Sequence, residues 1–337
     1  MEGIALLPKA KQYQMIRELR VQKYTVIKEC SESLKWDITW MCGQLKVSRQ
    51  AYYKWKNRKE SELVFENKKV LECTKEIADS NNCLLGAMKM TYVVKKKLNS
   101  SYNHKRIYRL MCINDLISVF RKEKRYRWKR SAPQVTAENT LNRKFEVSKP
   151  NEVWCADVTE IAYPGIKQKA YISAYLDLYD RSVVGLSVSK RNDTALTNES
   201  LMKAIEANPK VTPLHHSDRG FQYTREVFKK HLEDHKMKQS MSKVSRCIDN
   251  GPMEGFQGIL KDMLVVLYPN LKTYEQLEQA IYNTLDYYHK DYPQMRFKGL
   301  TALEVRSNAL NQENPKRYPI TPNPQVVKFW NHIEEVK

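Results

Sequence analysis

The chain has 337 residues, of which 42% are hydrophobic, and its 58 Lys and Arg outnumber its 38 Asp and Glu to give a net charge of +20. That apolar content excludes a disordered chain, and the length predicts about two domains. The longest apolar runs, such as residues 263–268, fall far short of the ~20 residues that cross a bilayer, so we expect no membrane-spanning segment. The N-terminus lacks the features of a secretion signal and the seven cysteines are unpatterned, so we expect a cytoplasmic protein.

Positive charge is concentrated in the first half of the chain. Residues 1–150 carry 33 basic and 15 acidic side chains, a net charge of +18, whereas residues 151–337 carry 25 and 23, a net charge of +2. A protein that gathers its positive charge in one region typically meets a polyanion there. Nucleic acid is the favoured partner, an anionic membrane surface is second, and a merely soluble basic surface is the alternative.

Residues 1–60 are predicted to contain a helix-turn-helix. Residues 36–55 suggest two short helices around a turn, with Trp40 on the apolar face of the first helix and Ser48 capping the second. The second helix would expose Arg49 and Lys54, as a recognition helix does toward a DNA groove. Any amphipathic helix pair beside a turn would give a similar pattern, so that alternative stays open at this point.

Residues 61–130 are predicted to form a second helical DNA-binding unit. Within residues 102–111 the apolar side chains share one helical face and the basic ones lie mainly on another, and residues 121–130 carry seven positive charges and one negative. Aromatic residues interleaved with these charges suit phosphate contact and base stacking, although a solvated basic face is the alternative. The candidate DNA contacts are Lys105, Arg106, Arg109, Arg125, Arg127, Lys129 and Arg130.

The pattern changes after a polar linker predicted at residues 131–150. Three consecutive strands precede alternating helices and strands, which indicates an α/β domain with a mixed sheet flanked by helices. We place this core at residues 151–268, a C-terminal helical extension at 269–308 and a proline-containing tail at 309–337. The predicted strands are 153–162, 170–178, 183–188, 211–216 and 239–242, and the predicted helices are 194–207, 224–235, 251–267 and 273–288.

Three acidic residues occupy positions that point to a metal site. Asp157 lies inside an apolar strand, Asp218 follows a strand end and Glu254 begins a helix, with 60 and 35 residues between successive acids. A carboxylate in an apolar strand is costly to desolvate unless something compensates it, and Mg²⁺ or Mn²⁺ prefers such hard oxygen ligands. Taken singly, each acid has another explanation, namely backbone hydrogen bonds, a turn cap or a favourable helix N-terminus.

Five segments of the chain together resemble a known family. They are V-S-R-Q-A-Y-Y-K-W at 47–55, N-H-K-R-I-Y-R-L-M at 103–111, V-W-C-A-D-V-T at 153–159, H-S-D-R-G-F-Q-Y at 216–223 and D-N-G-P-M-E-G-F-Q-G-I-L-K at 249–261. These segments, with the spacing of the three acids, are similar to the motifs of the DDE integrase/transposase superfamily, whose catalytic core is retroviral-integrase-like. More narrowly, they resemble the orfB-type transposases of the IS-three insertion-sequence family.

The resemblance implies an RNase H-like fold, a mixed five-stranded sheet flanked by helices, preceded by an all-α helix-turn-helix DNA-binding region. Asp157, Asp218 and Glu254 would bind two Mg²⁺ or Mn²⁺ ions for phosphodiester cleavage at the element's ends and strand transfer into target DNA. Lys261 would contact phosphate from two helical turns after Glu254. The candidates for supporting this site or contacting DNA are Asn250, Gln222 and Tyr223.

The resemblance also implies partners. It predicts a bacterial protein, nucleoid-associated when bound, that binds double-stranded DNA at terminal repeats and target sites as a homo-oligomer, because joining two ends requires at least a dimer. In this family an upstream reading frame usually supplies a further DNA-binding module through frameshifting. Gln257 stands where the family often has a second aromatic residue, and further departures fall at residues 85–89, 289 and 302. Together these departures leave a catalytically decayed or regulatory DNA-binding copy as the alternative. A third reading is a nuclease of this fold that acts on RNA·DNA hybrids.

Overall fold

Two compact units make up the chain, residues 1–119 and residues 120–337. The computed structural model describes residues 9–119, 139–142, 144–242 and 250–320. Among the described helices, none is long and apolar enough to cross a membrane. Four of the candidate DNA contacts lie outside the described residues, namely Arg125, Arg127, Lys129 and Arg130. The finer domain boundaries drawn from the sequence stay predictions.

The described part of the first unit is helical throughout its regular structure. Its helices are α1 (Lys9–Ser33), α2 (Ile38–Gln44), α3 (Arg49–Lys56), α4 (Glu62–Ser80), α5 (Ala87–Leu98) and α6 (His104–Ile113). The predicted helix pair is confirmed as α2 and α3, which bury Met41 and Tyr52 against Ile27 of α1. Arg49 and Lys54 are exposed on α3, as the sequence predicts.

Trp40 does not lie on the buried face of α2, contrary to the prediction. Its side chain is 56% exposed and packs edge-on against Trp36, with ring centroids 5.8 Å apart. Asp37 caps the helix by accepting a hydrogen bond from the Trp40 backbone N–H at 2.7 Å. With the helix start fixed there, the 3.6-residue period turns Ile38 and Met41 toward α1 and leaves Trp40 outside.

The amphipathic pattern predicted near residues 102–111 is confirmed in α6. Asn103 caps this helix by accepting a hydrogen bond from the Lys105 backbone N–H at 2.9 Å. Ile107 and Met111 are buried, whereas Lys105 and Arg109 are exposed. The helix therefore packs through one face and presents cationic side chains on another.

The second unit contains the mixed five-stranded sheet that the sequence predicts. Its strands are β1 (Val153–Ile161), β2 (Ala170–Asp177), β3 (Val183–Ser189), β4 (Leu214–Ser217) and β5 (Lys238–Met241). They lie in the order β3-β2-β1-β4-β5, with β1, β2 and β3 antiparallel and β4 and β5 parallel to β1. This is the RNase H-like sheet, and its central strand is the one that carries Asp157.

Helices pack on this sheet and extend beyond it. They are α7 (Thr194–Ala207), α8 (Phe221–Thr224), α9 (Glu226–Asp234), α10 (Gly251–Leu267), α11 (Tyr274–Lys290) and α12 (Ala302–Leu310). Helix α7 lies so close to β3 that a Cβ built on Gly185 would come within 2.3 Å of the Ser200 carbonyl oxygen. Glycine at position 185 therefore permits the helix to seat on the sheet.

Helix α12 was not predicted as a separate element, although the sequence contained its start signal. Thr301 and Glu304 form a capping box, in which each side chain accepts a hydrogen bond from the other residue's backbone N–H. Arg306 then anchors the helix to the sheet unit through Asp177 at 3.1 Å and Asp180 at 2.8 Å. Both aspartates are fully buried.

Candidate active site

Strand pairing places the three predicted acids at one end of the central strands. Ala156 of β1 pairs with Ser217 of β4 in parallel register, so Asp157 and Asp218 directly follow a matched pair on neighbouring strands. Helix α10 packs against β1 and carries Glu254 in its first turn. Acids that have 60 and 35 residues between them in the sequence therefore meet at one site.

Asp157 is the most strongly perturbed carboxyl of the three. Burial raises its pKa to about 8, and the nearby charge of Asp218 adds to the increase. Two hydrogen bonds favour the ionised form: the Val158 backbone N–H donates to Oδ1 at 2.8 Å and Gln257 Nε2 donates to Oδ2 at 3.1 Å. Burial and repulsion outweigh these bonds, so the carboxyl takes up a proton near neutral pH unless a cation compensates it.

Asp218 lies at the rim of the site. Its residue surface is exposed, yet enough protein surrounds the carboxyl to raise its pKa. The Gly220 backbone N–H donates to Asp218 Oδ1 at 2.9 Å. A Cβ on Gly220 would approach Gln222 Oε1 to 2.8 Å and Asp218 Oδ1 to 3.0 Å, so glycine allows the tight turn that orients the carboxylate.

Glu254 completes the acidic cluster from the helix side. Its pKa is raised, first by burial and then by the charge of Asp218. Each of the three acids thus has its pKa raised, and Asp157 also responds to the charge of Glu254. The charge of Asp218 therefore acts on both other acids, which places the three carboxyls in one electrostatic environment.

The donor set fits a divalent cation in chemical type and charge. Carboxylate oxygens are the ligands that Mg²⁺ and Mn²⁺ prefer, and a cation would relieve the repulsion among Asp157, Asp218 and Glu254. Throughout the part of the chain that the structure describes, no three His, Cys, Asp or Glu side chains are already spaced closely enough to hold a metal ion. The acids are therefore gathered, but they are not arranged as a closed coordination shell.

Polar side chains near the acids are buried and engaged within the protein. Asn250, which precedes α10, is 3% exposed and donates from Nδ2 to the Ala156 carbonyl at 3.1 Å, while its Oδ1 has no hydrogen-bond partner among the described residues. Gln222 is 4% exposed and donates from Nε2 to Asn192 Oδ1. Tyr223 is 1% exposed. These positions favour support of the site over direct contact with DNA.

The two histidines before Asp218 pack in the core. Burial lowers the pKa of His215 to about 3, so the ring is neutral, and it lies 5.7 Å from the Tyr223 ring and 5.2 Å from the Phe228 ring. His216 is hydrogen-bonded to Ser240 at 3.0 Å. Both rings therefore support the strand end behind the acidic cluster.

The candidate DNA contacts differ in solvent exposure and in the hydrogen bonds that their side chains make. Arg49 and Lys54 are exposed on α3, and Lys105 and Arg109 are exposed on α6. Arg106, in contrast, is half-buried. Its guanidinium donates to Glu66 Oε2 at 2.9 Å and 3.0 Å and to Asn67 Oδ1 at 2.8 Å.

Lys261 lies on α10, half-buried and near Glu160 of β1. The pKa of Glu160 is lowered first by its hydrogen bond with Lys169 and further by the charge of Lys261. Lys261 is thus on the same side of α10 as the strand that carries Asp157. This places the Lys261 charge close to β1.

Gln257 is the site residue that reasoning from the sequence missed. In the sequence it stands out only because the family often has an aromatic residue at this position, yet its side chain donates a hydrogen bond to Asp157. The available signal was helical spacing, because Gln257 follows Glu254 by three residues and so shares its face of α10.

Comparisons with known proteins agree with the division into a helical unit and a sheet unit. The family described as "HTH-like domain" matches residues 66–124, and the family described as "Integrase core domain" matches residues 147–247. The second match includes Asp157 and Asp218 and ends before Glu254.

Among curated relatives, transposase InsK of insertion sequence element IS150 from Escherichia coli is 34% identical over 69% of this chain and 81% of its own length. A transposase-like protein of Haemophilus influenzae is 29% identical over 66% of this chain and its own full length. Among solved structures, the HTLV-2 integrase catalytic core domain in complex with magnesium is 24% identical, covers 47% of this chain and 97% of its own, and has a TM-score of 0.39.

Proposed function

The chain belongs to the orfB-type transposases of the IS-three family, and we propose that Asp157, Asp218 and Glu254 are the catalytic residues of this polynucleotidyl transferase. In this proposal they cleave phosphodiester bonds at the ends of the insertion sequence and join those ends to target DNA. The observation that carries the proposal is the convergence of three carboxylates beside the end of β4, where the charge of Asp218 raises the pKa values of Asp157 and Glu254. Holding carboxylates together without a compensating cation costs free energy, and carboxyls with such perturbed pKa values are typical of catalytic sites.

Mg²⁺ or Mn²⁺ is the proposed cofactor, with two ions held by the three acids. Bound there, the ions would activate the attacking hydroxyl and stabilise the leaving oxygen of an in-line displacement at phosphorus. The protein's own contribution is orientation. The Gly220 N–H fixes Asp218, Asn250 ties the start of α10 to β1, and Lys261 supplies a cation for a DNA phosphate.

Double-stranded DNA is the proposed partner of the helical unit. Arg49 and Lys54 on α3 and Lys105 and Arg109 on α6 have exposed cationic side chains that suit phosphate contact. In this proposal Arg106 acts through its pair with Glu66, which holds α6 in place. The basic residues Arg125, Arg127, Lys129 and Arg130 extend the proposed contact on sequence grounds alone.

Assembly on DNA also belongs to this proposal. Joining two element ends to one target requires two catalytic sites, so we propose a homo-oligomer on DNA that acts on chromosomal DNA of a bacterial cytoplasm. A product of an upstream reading frame would add further DNA-binding capacity. The net charge of +18 on residues 1–150 supports the electrostatic part of this assembly.

A cleavage assay with labelled element-end DNA tests the proposal. With Mg²⁺ or Mn²⁺ present, the wild-type protein should cut the end and join it to a target, and Asp157→Asn should lose both reactions while it still binds DNA. Asp286→Asn is the matched control, because Asp286 is exposed and pairs with Lys290 within α11. Its activity should equal that of the wild type.

Other outcomes of the same assay separate the alternatives. Binding without cleavage in both the wild type and Asp157→Asn would support a decayed or regulatory DNA-binding copy. Cleavage confined to RNA·DNA hybrids would support a hybrid nuclease. Equal cleavage of element ends by the wild type and Asp157→Asn would show that the acidic cluster is not the catalytic site.

A further inference from the structure

One stripe of polar residues on α10 faces the strand that carries Asp157. Glu254, Gln257 and Lys261 follow one another at intervals of three and four residues, which places them on one side of the helix, and Asn250 immediately precedes the helix. Asn250 donates to the Ala156 carbonyl and Gln257 donates to Asp157. These two bonds therefore connect the helix to β1 on both sides of Glu254.

Gln257 makes a buried contact with a single functional group. Its residue is 9% exposed, and its Nε2 lies 3.1 Å from Asp157 Oδ2. The Val158 backbone N–H holds the other carboxylate oxygen, Oδ1, at 2.8 Å. The Asp157 carboxylate is thus gripped at both oxygens, once from its own strand and once from the helix of Glu254.

We propose that Gln257 is a positioning residue, which fixes the Asp157 carboxylate relative to Glu254 so that the two acids can share divalent cations. This inference rests on the proposed function of the acidic cluster. The amide hydrogen bond restricts rotation of the carboxylate and so holds its oxygens in one orientation. Because Gln257 and Glu254 belong to the same helix, the contact also links the orientation of Asp157 to the place of Glu254.

The chemistry of glutamine suits this role. Its amide nitrogen can donate to the carboxylate, whereas its amide oxygen cannot. Because the side chain is neutral, it adds no charge to a cluster in which Asp218 already repels Asp157 and Glu254. An aromatic residue, which the resemblance predicts at position 257, would leave Asp157 Oδ2 without this donor. Gln257 therefore gives this chain its own way to orient the acid.

Calorimetric titration of the full chain with Mn²⁺ alone, without DNA, tests this role. Gln257→Met keeps the length of the side chain and removes the donor, so Mn²⁺ affinity should fall about 10-fold, within the range of losses when a residue behind a metal ligand is changed. Gln279→Met is the matched control, because Gln279 is exposed on α11 and bonds only to Asn283 in its helix. Its Mn²⁺ affinity should equal that of the wild type.

Two further measurements make the result decisive. Thermal melting without metal identifies whether each variant folds, and Gln257→Asn, whose amide is one methylene too short to reach Asp157, serves as a second variant that should also lose affinity. Equal Mn²⁺ affinity in the wild type and folded Gln257 variants would overturn the positioning role alone. If the wild type bound no Mn²⁺, the proposed function would fail and this inference with it.

Discussion

The two units use charged residues in opposite ways. In the helical unit Lys105 and Arg109 extend from α6 into solvent, whereas in the sheet unit Asp177 and Asp180 are fully buried against Arg306. Exposed charges tolerate changes in place, because they stay hydrated and because water and salt screen their interactions. Buried charges must be matched locally, because desolvation is expensive. The same residue types therefore serve attraction in one unit and fixed geometry in the other.

The acidic cluster lies between these extremes. Asp218 is exposed at the rim, while Asp157 is sufficiently enclosed to have its pKa raised to about 8. Because the cluster is enclosed around Asp157 and open beside Asp218, it can limit access of bulk water to Asp157 while it admits cations and phosphate at the rim. Substitutions of enclosed charges in the sheet unit should consequently have large effects. Substitutions of exposed charges in the helical unit should have small, additive effects.

The largest expected effect is on catalysis. Glu254→Gln keeps the size of the side chain and removes one charge from the cluster, so single-turnover cleavage of element-end DNA should slow by on the order of 10³-fold. DNA affinity, measured by fluorescence anisotropy, should stay within about twofold because the helical unit is unchanged. Glu233→Gln on the exposed side of α9 is the control and should cleave normally. A comparable slowing in that control would remove the distinction between clustered and scattered acids.

A large effect on stability is expected from the buried ion pairs. Arg306→Met would leave Asp177 and Asp180 without their cation, so the free energy of unfolding should fall by about 3–5 kcal/mol in chemical denaturation. Arg191→Met, at an exposed position, should change it by less than about 0.5 kcal/mol. Similar losses in the two variants would show that the Arg306 network contributes no more than a surface charge.

The sequence predicts the three acids and the order of helices and strands better than it predicts which side chains contact those acids. Asp157, Asp218 and Glu254 stand out because their spacing and flanking residues form recognisable motifs. Gln257 is 100 residues from Asp157, and its helical spacing relates it to Glu254 but does not indicate its contact with Asp157. Such pairs appear only once the strands and helices are packed, because tertiary structure brings distant side chains together.

Two other differences have local causes. Trp40 was predicted on the apolar face because it is large and hydrophobic, but the helix start set by Asp37 decides which residues face inward. Arg306 lay in a predicted extension with no indication that it would reach two buried aspartates of the sheet unit. Predictions from the residue pattern can therefore be wrong when a helix starts at a different residue than expected or when a side chain makes a contact with a distant part of the sequence.

The acidic cluster should make the stabilising effect of Mg²⁺ depend on pH. Because the folded-state pKa of Asp157 is raised to about 8 from an ordinary value of 3.8, the folded protein binds this proton more tightly than the unfolded chain does. Without metal, stability from this group is greatest below about pH 4 and declines as the pH rises toward 8. Mg²⁺ should offset the decline, so its increase of the melting temperature should be roughly 2–4 °C larger at pH 8.5 than at pH 6.

Scanning fluorimetry of the wild type and Asp157→Asn measures this difference. The variant lacks the group that titrates, so its response to Mg²⁺ should be weaker and should vary less with pH. An Mg²⁺ response that is the same at both pH values in the wild type would contradict a cation site built from acids with raised pKa values.

The smallest expected effects belong to the helical unit, where charge should act through its sum. Lys105→Ala and Arg109→Ala should each weaken binding to duplex DNA by about 1 kcal/mol, nearly equally for element-end and unrelated sequences if both side chains contact phosphate. The double variant should lower the dependence of log K on log salt concentration by ~2, because two fewer counterions are released. Lys203→Ala, whose partner is Glu199 on α7, should change neither quantity. A loss confined to element-end DNA would instead assign α6 to base recognition, and the contrast between the units would then be one of specificity as well as charge.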